Sequence, residues 1–201
     1  MPSEPDTARD YRVLADGFLA RVRATPADRW DAPSPCRGWS ARDVVAHLIN
    51  GHRGFLAMAG GPPPAPADGV GVGPMSGAPP VADGADLAAA FAACRDDMLA
   101  MLADPGRAAL RLPGGPMGAV PVAQAVAVVG SIELLVHTWD LARATGGDET
   151  LDPAQVARTH RAAEPYAAGL LATGAFDPPV PAPDGADAQT RFLCFAGRKP
   201  F

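Results

Sequence analysis

The chain has 201 residues, is 48% hydrophobic and carries a formal net charge of -5, which suits one sizeable core and is short for two; one domain spanning 1–201 is expected. Its one lysine is Lys199 near the end, so the clustered cations of a nucleic-acid-binding surface are missing and a small-molecule partner is expected instead. The opening MPSEPDTARD lacks the basic start and apolar run of a signal peptide, and the longest apolar stretch, around 119–130, is shorter than the roughly 20 residues of a membrane span. A cytoplasmic protein without a membrane partner is the expectation. Cys36, Cys94 and Cys194 are odd in number, widely spaced and form no C-x-x-C pattern, so free thiols are expected rather than a disulfide framework or a cysteine-based zinc site.

From Asp6 to Ala24, Tyr11, Leu14, Phe18, Leu19 and Val22 recur at helical spacing and predict a first amphipathic helix. Trp30, Pro33, Pro35, Cys36 and Gly38 then make a loop. Ser40 followed by Asp43 resembles a capping box, with Trp39 and Val44 at the positions of a hydrophobic staple. The second helix that follows puts Val44, His47, Leu48, Gly51 and Phe55 on or near one inward face, with His52 pointing well away from His47. Gly60 to Gly84 is rich in Gly, Pro and Ala; disorder is the favoured reading and a lid over a site the alternative. Asp86 to Leu102 returns to helix along Leu87, Phe91, Cys94, Met98, Leu99 and Leu102, and stops at Asp104-Pro105-Gly106.

Ala109, Leu110 and Leu112 before Gly114-Gly115, with Met117 and Val120 after, have the arrangement of a small hairpin whose pairing Pro113 and Pro116 limit. Pro121 suits the first turn of a fourth helix. From Val122 to Ala144 this helix is apolar almost all round, as expected of the most buried helix of a bundle, and Gly146-Gly147 ends it. Pro153 starts a fifth through Val156, His160, Ala163, Tyr166, Leu170 and Leu171, bent at Pro165. The tail is Pro-rich and then apolar at Phe192, Leu193 and Phe195, so its end is expected to pack back on the domain. The fold class is all-α.

Within the fourth helix, Glu133 and His137 stand four residues apart among Ile132, Leu134, Leu135, Val136 and Leu141. Such a pair shares one face, and a charged carboxylate in an apolar segment needs a partner: a metal, a salt bridge or a ligand. If the second and fourth helices are neighbours, His47 joins them to make the two-His, one-carboxylate set that zinc enzymes use while leaving a coordination position open. By spacing alone, a Glu and a His four apart are as readily a helical ion pair, and one His on an apolar face is commonly a hydrogen-bonded core residue. Asp140 has the spacing of a group that orients His137 or of a surface partner for Arg143. Cys36 lies near enough in the chain to approach the site or simply to fill the core. Trp39, Trp139, Met58, Met98 and Met101 read as packing residues, and His52 and His160 fall outside any site.

The segments SPCRGWSARDVVAHLING (Ser34 to Gly51) and ELLVHTWDLARATG (Glu133 to Gly146) resemble the two signature motifs of the DinB-like superfamily, in its actinobacterial branch that contains the metal-binding domain of mycothiol-dependent maleylpyruvate isomerase. The ending FDPPVPAPDGADAQTRFLCFAGRKPF is also similar to that branch. The resemblance implies a DinB-like four-helix bundle with an additional C-terminal helix, a divalent metal, usually zinc, held by His47, Glu133 and His137, and mycothiol as cosubstrate. Two departures stand out: Arg37 replaces a Pro common after the Cys, and the sequence ends before the further domain that supplies a catalytic Arg in the isomerase, so maleylpyruvate isomerisation itself is not the expected reaction. Zinc with two imidazoles and one carboxylate keeps a net positive charge, which activates a bound thiol for S-transfer or isomerisation of a small electrophile, or a bound water for hydrolysis. The resemblance favours the thiol; metal-hydroxide hydrolysis and a non-catalytic, metal-dependent binding or stress-response role are the alternatives. Either a monomer or a homodimer is compatible with the sequence.

Overall fold

Four long helices form the core of the computed structural model, which describes residues 4–61, 69–74, 76–112, 114–174 and 177–201. They are α1 (Glu4–Ala24), α2 (Ala41–Met58), α3 (Leu87–Ala103) and α4 (Val122–Thr145). Helices α1 and α2 each pack against both α3 and α4, so the four stand in a square with α1 opposite α2 and α3 opposite α4. Three shorter helices follow: α5 (Pro153–Ala163), α6 (Ala167–Ala172) and α7 (Ala188–Phe195). Helix α5 lies against α4 and α7. Among the described residues no strand forms, and three isolated antiparallel bridges are present.

Local chemistry sets most of the helix starts. Ser40 and Asp43 complete the capping box of α2, with the Ser40 N–H donating to Asp43 Oδ2 at 2.8 Å and the Asp43 N–H to Ser40 Oγ at 3.3 Å. Asp86, Asp152 and Asp187 cap α3, α5 and α7 by accepting from backbone N–H groups of the first turns, which uses donors a helix start otherwise leaves open. Helix α4 is apolar all round because it is enclosed: Leu134 and Leu141 are fully buried, and Ile132, Leu135, Val136 and Trp139 nearly so. Its segment Val126–Gly130 winds as a π turn, the Ser131 N–H reaching Val126 O. Pro165 breaks α5 from α6 through the 3-10 turn Glu164–Tyr166, as its missing N–H requires.

Several expectations need correction. The apolar run near 119–130 is only part of a continuous helix, Val122–Thr145, that is long and apolar enough to cross a membrane; 78% of its most apolar window is buried inside the protein, which identifies it as a core helix. The hairpin shrinks to one bridge, Arg111 with Pro121, flanked by Leu112 N–H to Val120 O and Val122 N–H to Leu110 O, since Pro116 and Pro121 offer no donors to extend it. Met58 is 40% exposed, unlike the buried Met98 and Met101. The expectation for 60–84 falls partly on 62–68 and Met75, outside the described residues. The described part is pinned to α2: Asn50 Nδ2 donates to Gly73 O and Pro74 O, the Gly73 N–H donates to Asn50 Oδ1, and Arg53 donates to Val70 O. Residues spaced along one face of α2 thereby hold this segment beside His47.

Candidate metal centre

Helices α2 and α4 are neighbours, and between them His47, Glu133 and His137 converge. Glu133 Oε2 lies 2.9 Å from His47 Nε2 and 3.2 Å from His137 Nε2, and one donor atom from each residue lies within 4.8 Å of the others. The structure thus brings together the three residues singled out in the sequence. The π turn just upstream adds a residue to the helical circuit and so sets the rotation at which Glu133 and His137 face α2.

The far ring nitrogens show how the imidazoles are held. His47 Nδ1–H donates to Gly77 O at 3.1 Å, and His137 Nδ1–H donates to Asp140 Oδ2 at 3.0 Å. With both Nδ1 atoms acting as donors, each neutral imidazole turns an Nε2 lone pair toward the Glu133 carboxylate. Three acceptors facing one point repel unless protons or a cation lie between them. Burial pushes the Glu133 carboxyl up, but the hydrogen bonds of His137 and His47 outweigh it and hold the group well below the usual carboxylate range. Burial pushes the His137 imidazole down, and it is overcome by hydrogen bonds to Asp140, Cys36 and Glu133, so its pKa stands well above the ordinary value. The arrangement therefore favours positive charge at its centre.

Behind His137 stands a second layer. Asp140 is fully buried and accepts from His137, from Arg198 Nε at 3.1 Å and Nη2 at 2.9 Å, and from Cys36 Sγ at 3.2 Å. Asp140 is thus the orienting partner of His137, and Arg143 instead pairs with Glu149 and lies over the Trp139 ring. Cys36 does approach the site, its Sγ 3.9 Å from His137 Nδ1; Cys36, His137 and Asp140 form a second cluster that could hold a metal ion. That cluster is already committed internally, because Arg198 neutralises Asp140 and Arg198 Nη2 touches Cys36 Sγ at 3.2 Å. All three cysteines are free and buried.

Sequence reasoning passed over Arg198. It follows an apolar helix near the chain end, where a lone Arg in FLCFAGRKPF was the available signal. A Schellman turn delivers it: Gly197 has φ 79°, the Gly197 N–H donates to Cys194 O and the Arg198 N–H to Leu193 O, the pattern that closes a helix with a left-handed glycine.

The cluster of His47, Glu133 and His137 opens on a cavity of about 570 Å³ between α2, α4 and the chain end, lined among others by Tyr11, Trp39, Gly51, His52, Ser76 and Arg198, a size suited to small molecules. Trp39 packs against the core as expected and also lines this cavity, its ring standing 4.8 Å from that of His47 and 6.1 Å from that of His137. His52, placed outside any site by its spacing, lines the same cavity; His160 lies apart against Phe192 and Phe195. Another cavity, of about 410 Å³ and lined by Thr7, Gln124, Gln155 and Tyr166 among others, contains none of the three candidate ligands.

An all-α bundle of the DinB-like kind, with a buried cluster that could hold a metal ion between two of its core helices, defines the class of protein. Residues 11–142 match the model of the mycothiol maleylpyruvate isomerase N-terminal domain, and the chain belongs to that family. Two relatives, Uncharacterized protein MT0763 and Uncharacterized protein Rv0738 from two strains of Mycobacterium tuberculosis, are each 30% identical over 152 residues, covering 74% of this chain and 72% of theirs. No solved structure matches the chain. The matched region holds His47, Glu133, His137, Asp140 and Cys36, whereas Arg198 lies beyond it.

Proposed function

We propose that His47, Glu133 and His137 bind a divalent metal, best zinc, and that the protein uses it to activate a low-molecular-weight thiol such as mycothiol for transfer to, or isomerisation of, a small electrophile. The observation that carries this reading is the convergence of two imidazole Nε2 atoms on one carboxylate at the wall of a small-molecule cavity, in a chain of a family described by a mycothiol-dependent isomerase. The donors fit the ion: bonds near 2.0–2.1 Å in a tetrahedron separate neighbouring donors by roughly 3.3 Å, close to the spacings about Glu133. When bound, the ion supplies a Lewis-acid centre that lowers the pKa of a thiol beside it.

The protein's own side chains do the rest. Asp140 fixes the His137 ring through Nδ1, Arg198 keeps Asp140 charged and in place, and Gly77 O fixes the ring of His47. Trp39 and the Ser76 segment wall the cavity. Zinc-loaded protein titrated with mycothiol is expected to show saturable binding, and His47→Ala to lose both zinc and thiol binding. Full zinc occupancy after His47→Ala would sink the ligand set. Zinc binding without thiol binding, with turnover of an ester in the absence of thiol, would replace the thiol reading by hydrolysis.

A further inference from the structure

The cavity of about 410 Å³ stands apart from the metal centre, and its walls share no residue with the metal-side cavity. Helices α1 and α5 both pack on the π turn of α4, and this cavity is the space left between them. Each helix brings neutral polar side chains to it: Thr7 from α1, Ser131 from α4, and Gln155 and Thr159 from α5, the last two sharing a helix face because they are four apart. All four residues are between 3% and 7% exposed. Among the described residues none of their side chains has a hydrogen-bond partner. The unpaired polar atoms that are fully enclosed are the Tyr11 hydroxyl and His52 Nε2. Those of Thr7, Ser131, Gln155 and Thr159 are not enclosed, so each keeps a surface open to a water-sized group, and the cavity is what they line.

Other helical hydroxyls of the protein close on their own helix: Thr138 donates to Leu134 O and Thr145 to Leu141 O. Ser131 and Thr159 do not make that bond, although it is available to any helical hydroxyl. Alanine or valine would occupy these positions with no polar group to desolvate. Four unpaired polar groups around one buried space point to a ligand that enters it.

The chemistry of the ligand follows from the wall. Its charged residues, Asp10 and Arg158, neutralise each other at 3.0 Å in a bridge from α1 to α5, which leaves no spare charge to select an anion or a cation. Hydroxyls and a carboxamide both donate and accept, and Gln124 Nε2 donates to the Tyr166 hydroxyl at 2.9 Å, which leaves the phenol proton to give. Such groups match ligand hydroxyls, which also do both. They come from three helices around the space, an arrangement that suits a ring hydroxylated on several sides better than the single planar edge of a nucleobase. Ala123, Ala127, Val128 and Ala162 supply small apolar surface between them for the C–H groups of such a ring. The volume falls toward the lower end of small-molecule sites.

We propose that the space between α1, α4 and α5 is a second binding site, which takes an uncharged polyhydroxylated ring of monosaccharide size. It goes beyond the thiol reading and requires neither metal nor thiol.

Full-length ¹⁵N-labelled protein, with and without zinc, titrated with glucose, galactose and mannose and followed by amide chemical shifts tests it. At least one hexose is expected to bind saturably in both states, with the largest shifts at Gln124, Ser131, Gln155 and Thr159 rather than at Glu133 and His137. The uronate and the 2-amino sugar of that hexose, and cyclohexanol with its single hydroxyl, are each expected to bind at least about tenfold more weakly. Thr159→Val and Gln155→Leu should each weaken hexose binding about fivefold to tenfold, the loss of one hydrogen bond. Because neither side chain has a partner in the protein to lose, both variants should melt at or above the wild-type temperature, which separates loss of the site from loss of the fold. Unchanged affinity in both variants, shifts centred on Glu133 and His137, equal binding of the charged sugars or of cyclohexanol, or no saturable binding of any hexose would each overturn the site. The probes carry no thiol and the titration runs without zinc as well, so its failure leaves the zinc and thiol measurements to stand or fall separately.

Discussion

At the scale of single residues, Asp140 is the most constrained group in the site. Its carboxylate accepts from an imidazole, a guanidinium and a thiol while wholly enclosed, and although burial pushes its pKa up, the hydrogen bonds from His137 and Arg198 hold it below the ordinary value. Asp140→Asn keeps the shape but presents an N–H either to His137 Nδ1–H or to Arg198, donor against donor. Zinc affinity measured by competition with a chelator should fall roughly 10–100-fold, and unfolding free energy should drop by about 3 kcal/mol because Arg198 is left without its anion. Unchanged zinc affinity would remove Asp140 from the centre. Sequence spacing exposed Asp140 as a possible partner of His137 three residues earlier, but not Arg198, 58 residues away, whose contact depends on how the chain end returns.

Among the elements, α7 and the turn after it matter most to the site. Gly197 takes a left-handed backbone, and a Cβ there would stand 2.6 Å from Asp177 Cβ and 2.8 Å from Asp177 O. Gly197→Ala combines an unfavourable φ with a clash against backbone, and is expected to cost about 2–3 kcal/mol in urea denaturation, with zinc affinity falling as Arg198 is displaced. A loss under about 0.5 kcal/mol would mean that the chain end is not held as the structure shows. The helix start at Ser40 was legible because its cap is a local contact between residues three apart, that at Asp86 because an apolar stripe resumes there, and that at Pro153 because proline suits a first turn. The π turn in α4 was not, since an extra residue in a helical circuit is stabilised by packing on neighbouring helices and leaves no spacing signature. The segment after Gly69 read as disordered for a similar reason: its composition is that of a loop, and Asn50 and Arg53, which bind it, sit on another element.

Over the whole molecule, the buried imidazole of His52 gives stability a pH dependence of definite sign. Burial lowers its pKa to about 4, against the ordinary 6.5, so in the unfolded chain it takes up a proton at higher pH than in the fold. Above about pH 6.5 it is neutral in both states and its contribution is fully present. As pH falls from 6.5 to 4 the unfolded state gains, at about 1.4 kcal/mol per unit, for a total near 3 kcal/mol. The difference in unfolding free energy between metal-free wild type and His52→Phe should therefore shift toward the variant across that window and stay flat from pH 7 to 8. A flat difference throughout would show that His52 is not buried neutral.

The sequence by itself determined the helical class, the core stripes of α1 to α4, the cap of α2, and the three residues that meet between α2 and α4, because each is written in periodicity, in local hydrogen bonding or in motifs that resemble a known family. Only the tertiary structure decided that Arg198 stands behind Asp140, that Trp39 and His52 share the cavity of His47, and that a 24-residue apolar helix is wrapped by protein. Those outcomes rest on contacts between residues far apart in the chain, and such contacts carry no spacing signal until the helices have packed.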